Sequence, residues 1–232
     1  MRNKTIFLVL FLAVVGCRPH PSQVELMRAA KAQKDSVQYA QACQTILYSD
    51  SLLQTLLPQV DPLMKAFVYE KDDKAEDHGH YVHRVLRTNS NTQRNFLQAY
   101  VRDNKQVSLT SYFYGSQPIC HNHIKLSVGE LYLDKEGSLY SFEVEGVHEM
   151  LTVENADALQ FLQFVAEHAS ERVLVTAYGA SKVTYYLNDT EKNALTQTFQ
   201  LAVLMSDIDR LERAIHVASL QKAKYEKKQA NL

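Results

Sequence analysis

Residues 189–228 read DTEKNALTQTFQLAVLMSDIDRLERAIHVASLQKAKYEKK, and this run decides what kind of fold the chain makes. It contains no Gly or Pro, so nothing in it interrupts a helix. Asn188, with Glu191 three residues on, supplies a capping-box start. Leu201, Leu204, Ile208, Leu211, Ile215 and Ala218 then follow 3-4-3-4-3 spacing. That spacing predicts one long helix whose apolar seam needs a partner in water. The seam covers under three heptads, which fits a helix pair and not a fibre.

The other end of the chain offers that partner. Residues 22–57 also lack Gly and Pro and are rich in Ala, Gln, Lys and Leu. Leu26, Ala30, Val37, Ala40 and Leu47 lie near one face, interrupted by Gln33 and Gln44. Pro58 is expected to stop this helix, or Ser49-Asp50-Ser51 to split it with a fresh N-cap. The two helices are expected to pack antiparallel as a stalk with basic tips. Arg18, Arg28, Lys31 and Lys34 lie on one side, and Lys222, Lys224, Lys227 and Lys228 on the other.

Between them the pattern changes to strands. Residues 64–70 and 81–86 read as strands around a charged loop at 71–79. Residues 96–101 and 107–114 flank a turn at 102–105. Ile124, Leu126 and Val128 alternate with polar residues. Residues 131–133 and 139–144 flank Asp134-Lys135-Glu136-Gly137, which predicts a second hairpin. Asn155 caps a helix at 156–168, and 173–178 pairs with 183–187 across Gly179. The expected fold class is α+β: a mainly antiparallel sheet covered on one face by helices, with long terminal helices that pair.

Composition narrows the function. The 232 residues are 46% hydrophobic and 22% charged, with 7 Gly and 5 Pro, which excludes a disordered or collagen-like chain. A net charge of -1 gives no basic field for nucleic acid. Three Cys are too few for a disulfide-stapled scaffold.

The first residues read as an address. Arg2 and Lys4 precede an apolar run, IFLVLFLAVV at 6–15, too short to span a bilayer as a helix. Its length fits the core of a signal peptide. The run ends in Val14-Val15-Gly16-Cys17, which resembles the lipobox of bacterial lipoproteins. The resemblance covers residues 1–17 alone. It implies diacylglycerol and fatty acid such as palmitate on Cys17, and cleavage before it. The chain then divides into a signal peptide at 1–16, a lipidated Cys and short tether at 17–21, and one α+β domain at 22–232. Without Arg2 and Lys4 the mature net charge is -3. Arg18-Pro19-His20-Pro21 holds no acid, so the resemblance places the protein on the periplasmic side of the cell or outer membrane.

Candidate chemistry is sparse. His78, His80 and His83 fall within six residues, and His121 and His123 follow Cys120. Residues two apart on a strand share a side, so His121 and His123 are candidate ligands of one metal, with Asp77 and His80 as further donors. No zinc spacing such as HExxH accompanies them, and no metal or cofactor is expected. Cys43 and Cys120 are a candidate disulfide in an oxidising envelope. Cys120 with His121 is a poor nucleophile pair, because neighbours on a strand face opposite ways. Glu143 and Glu145 share a strand face near Glu149, the pattern of a solvated edge. Tyr112-Phe113-Tyr114 and Tyr185-Tyr186 each put one side into a core and leave the other as a candidate binding surface. No GxSxG, Walker or GxGxxG motif is present. The expected function is a non-enzymatic, membrane-tethered binding or scaffolding protein of the cell envelope, with a protein partner. The alternative is a periplasmic hydrolase, or a carrier of metal or small ligand, using His80, His121 and His123.

Overall fold

The computed structural model describes residues 22–71, 79–87 and 93–230. Cys17, Asp77 and His78 lie outside them. Helix α1 (Gln23–Met64) leads into β1 (Phe67–Lys71), β2 (Gly79–His83), β3 (Phe96–Arg102), β4 (Val107–Gly115), β5 (His123–Val128), β6 (Leu131–Glu136), β7 (Ser138–Glu143) and β8 (Val147–Glu154). Helix α2 (Asn155–Glu167), β9 (Leu174–Tyr178), β10 (Lys182–Tyr186) and α3 (Asp189–Ala230) complete it. The fold is α+β with antiparallel pairing and paired terminal helices, as the sequence predicts, but with two sheets where one is expected.

Both long helices start on reciprocal caps. Glu191 N–H donates to Asn188 Oδ1 at 2.9 Å, while Asn188 N–H donates to Glu191 Oε2 at 3.1 Å. Ser22 and Glu25 make the same exchange at the start of α1. The seam from Leu201 to Ala218 is withdrawn from solvent along its whole length, and Lys222 and Tyr225 continue it.

The face expected on α1 is not the one that packs. Leu26, Ala30, Val37, Ala40 and Leu47 are exposed. The helix instead turns Tyr39, Ala42, Ile46, Ser49, Leu53, Leu56, Val60 and Leu63 inward, a regular alternation of threes and fours. This row contains a serine and an alanine, but it is continuous where the other stripe is cut by two glutamines. It also carries the helix through Pro58 and Pro62, which end nothing. Both prolines sit on the exposed side, where water can satisfy the carbonyls they strand.

The register is antiparallel. Tyr225 hydroxyl donates to Gln38 Oε1, Tyr39 hydroxyl approaches Glu226 at 3.4 Å, and Lys228 holds Asp35 at 3.1 Å. At roughly 1.5 Å per residue the 42-residue α1 is about 63 Å long. Apart from a small contact with β1, its packing partner is α3. Cysteines at Gln38 and Tyr225, in a chain lacking Cys43 and Cys120, are therefore expected to form an intramolecular disulfide on oxidation. A pair at Val37 and Tyr225 should not, and equal yields from both would show the register to be wrong.

The strands form two sheets, in the orders β1-β2-β3-β4-β8-β7 and β10-β9-β5-β6. The hairpins β3–β4 and β9–β10 form where the sequence places them. The hairpin expected between β6 and β7 does not. β6 pairs with β5, and β7 with β8, so the chain passes from one sheet to the other at Gly137. A Cβ at Gly137 would meet Thr152 O at 2.6 Å, which leaves no room for a side chain at the crossing. The tight turn lies earlier, at Gly129, whose φ of +56° suits glycine. Phe161, Leu162, Leu195 and Leu201 from the helices fill the core between Leu97, Leu109 and Leu151 of one sheet and Ile124, Leu126 and Val175 of the other.

Candidate functional site

The residues singled out from the sequence are dispersed. His80, on β2, faces Glu70 across the strand pair, with His80 Nε2 3.5 Å from Glu70 Oε2. His123, on β5 of the other sheet, stacks on Tyr178 at 4.9 Å and approaches Asp134 at 3.3 Å. His121 precedes β5 and is not on the strand, so the side-sharing expected of His121 and His123 does not arise. His121 is fully buried and His123 is half-exposed. Among the described residues no three His, Cys, Asp or Glu side chains converge as metal ligands. Cys43 on α1 and Cys120 in the loop before β5 are both free thiols.

One feature does come together around His121. Glu149, on β8, is buried between the sheets. Its Oε1 accepts Cys120 N–H at 2.8 Å, and its Oε2 accepts His121 N–H at 3.0 Å and lies 2.8 Å from His121 Nδ1. Burial raises the Glu149 carboxyl, but these hydrogen bonds outweigh it and hold the group below the usual carboxylate value. The Phe113 ring meets the imidazole edge-on at 6.4 Å. A carboxylate behind Nδ1 is how a general base is oriented, but the base must reach a proton through Nε2. Here Nε2 is sealed in the interior with no partner among the described residues. The arrangement clamps the Cys120 loop to β8. Glu143 and Glu145, by contrast, are exposed and take no part in it.

His83 is the other histidine that the fold buries. Burial lowers it, partly offset by a 3.0 Å hydrogen bond with Gln197 on α3. That contact marks the helix-covered side of the six-stranded sheet. By alternation, the opposite side carries Glu70, His80, Gln98, Tyr100, Thr110, Tyr112, Tyr114, His148 and Thr152.

This opposite side is a polar and aromatic floor. Tyr112 hydroxyl donates to Gln98 at 2.8 Å and its ring stacks on Phe96 at 4.3 Å. Thr110 and Thr152 share a 2.9 Å hydrogen bond. Burial, and then Tyr100 and Glu70, push the Tyr112 phenol up to about 12. Glu70 is on β1 and Tyr112 on β4, on the same side of the sheet. His80 tilts against Tyr100 at 4.7 Å, and Arg87 Nε holds Glu70 at 2.6 Å. At the far edge His148 stacks on Phe142 at 4.8 Å. Phe113 turns into the core while Tyr112 and Tyr114 face out, the division that the triplet implies. Gln98, Thr110 and Thr152 carry no sequence signal beyond strand alternation. Such a surface suits aromatic stacking and neutral hydrogen bonding.

Compared with known proteins, the chain matches no family model, no curated protein and no solved structure.

Proposed function

We propose that the protein is an envelope lipoprotein, tethered through acyl chains on Cys17, that carries a non-enzymatic binding body away from the membrane for a protein partner. The observation that carries this reading is the antiparallel pair of α1 and α3. Helix α1 begins five residues after Cys17 (at Ser22 as its cap) and delivers the chain to the sheets at its other end. A tether and a spacer therefore follow each other directly in the chain. No helix among the described residues is long and apolar enough to cross a membrane. The surface assigned to the partner is the β7 edge of the polar and aromatic side of the six-stranded sheet, where Tyr140 is exposed; Gln98, Thr110 and Phe96 at its centre are buried. The histidines of the hydrolase and carrier alternative, His80, His121 and His123, stand in three separate settings.

The test is replacement of Cys17 by Ala. The variant should lose all labelling by a clickable palmitate analogue. Undiminished labelling would sink the tether.

A further inference from the structure

We infer that the free end of the α1–α3 rod is itself a membrane-contact site, which takes anionic lipid headgroups. Two independent features of this end point to a lipid surface. The first is apolar. Residues 22–34 are exposed all round, and Val24, Leu26 and Met27 are 57%, 55% and 69% accessible in the opening turns of α1. Nothing in the body requires apolar side chains there. Such residues at the end of a helix fit the boundary between headgroups and acyl chains.

The second feature is charge. Arg28, Lys31 and Lys34 follow on α1, and the antiparallel register brings Lys227 and Lys228 of α3 level with the end of this run, with Lys224 about one turn further back. The acids at this end are engaged. Glu25 caps Ser22, Asp35 holds Lys228, and Glu226 contacts Tyr39 and Lys222. Arg28, Lys31, Lys34, Lys224 and Lys227 have no carboxylate partner among the described residues. The excess is therefore positive on a chain whose total charge is -1. Lys228, level with Asp35, stands about 12 Å along the axis from Met27, close to one screening length. An apolar tip with a basic collar behind it matches acyl chains with phosphates above them. A soluble polyanion would use the collar and ignore the tip.

This inference deepens the tether reading, so its test is made without acyl chains. Residues 17–232 carrying Cys17→Ser contain every described element. This chain should co-sediment with vesicles of phosphatidylcholine plus phosphatidylglycerol, and not with phosphatidylcholine alone. Added salt should weaken the binding. Each basic residue near the surface is worth roughly fivefold in partitioning. Arg28→Gln, Lys31→Gln, Lys34→Gln and Lys227→Gln together should then reduce it by roughly several hundredfold. Val24→Ser with Met27→Ser should reduce the binding that survives added salt. All six side chains are exposed, so helicity by circular dichroism should be unchanged in both variants.

No binding to the mixed vesicles, or equal binding by the fourfold variant, overturns the inference. So does binding of inorganic polyphosphate as tight as that of vesicles and indifferent to Met27→Ser, which would make the collar a site for soluble polyanions. Vesicle binding by this chain, with no label on Cys17 in cells, would overturn the tether and leave the tip. A labelled Cys17 with no vesicle binding would do the reverse.

Discussion

Replacing Glu149 with Ala is expected to destabilise the fold by about 4 kcal/mol, among the largest effects of any single substitution. The carboxylate accepts from Cys120 N–H, His121 N–H and His121 Nδ1, all within 3.0 Å. His121 is 0% exposed, so water does not replace the lost acceptor in the folded chain. Each stranded donor costs roughly 1–3 kcal/mol, and some of this is recovered as the loop lifts off β8. Against a domain stability of about 5–15 kcal/mol, the change is large. Urea unfolding at neutral pH measures it, and a loss under about 1 kcal/mol would show that Glu149 does not hold the loop.

The same group sets a pH dependence of definite sign. Glu149 is held below its ordinary value of 4.5 in the folded chain. Between the two values the unfolded chain binds more protons, so stability rises with pH there. The contribution is complete above the unfolded value and is lost as pH falls through the folded one. Glu149→Gln should remove that acid limb and leave the profile above it in place. An unchanged acid limb in this variant would assign it to other carboxylates.

Gly179→Ala is expected to cost about 3 kcal/mol or more, through sterics alone. A Cβ there would stand 1.9 Å from Cys120 O, 2.6 Å from Cys120 C and 2.9 Å from His121 Cα. All three are backbone atoms, and the backbone around them is held. Asn122 N–H donates to Tyr178 O at 3.1 Å, and Gly179 N–H to Ser181 O at 2.8 Å. The loop can yield only by giving up these bonds or the Glu149 clamp. For that reason Gly179→Ala and Glu149→Ala should not add: once the loop has left β8, the second change costs less. Thermal unfolding of both single variants and the double variant measures the coupling. Strict additivity would place Gly179 outside the clamp.

The α3 seam was legible because its residues are both apolar and in register. The partner row on α1 was not, because Ala42 and Ser49 carry little apolar signal. Their inward position is set by α3 lying against them. The stripe expected to pack, through Leu26, Val37 and Leu47, faces outward. Pro58 likewise reads as a stop, since a lone helix loses a hydrogen bond there. The packed row on either side outweighs that loss.

Sequence by itself determined that both termini are long helices, the Asn188–Glu191 cap, the α3 seam, the alternation of Tyr112, Phe113 and Tyr114, and two of the hairpins. These rest on contacts within a few residues, or on a period that one element imposes on its own side chains. Only the tertiary structure decided that β6 and β7 part into different sheets, which face of α1 packs, and that His121 is buried against Glu149 while His123 stays half-open. Those outcomes depend on partners 28 residues apart, as for His121 and Glu149, or 187 apart, as for Gln38 and Tyr225. A local pattern is indifferent to such partners, because the free energy of burial belongs to the pair and exists only once the chain has brought both halves together.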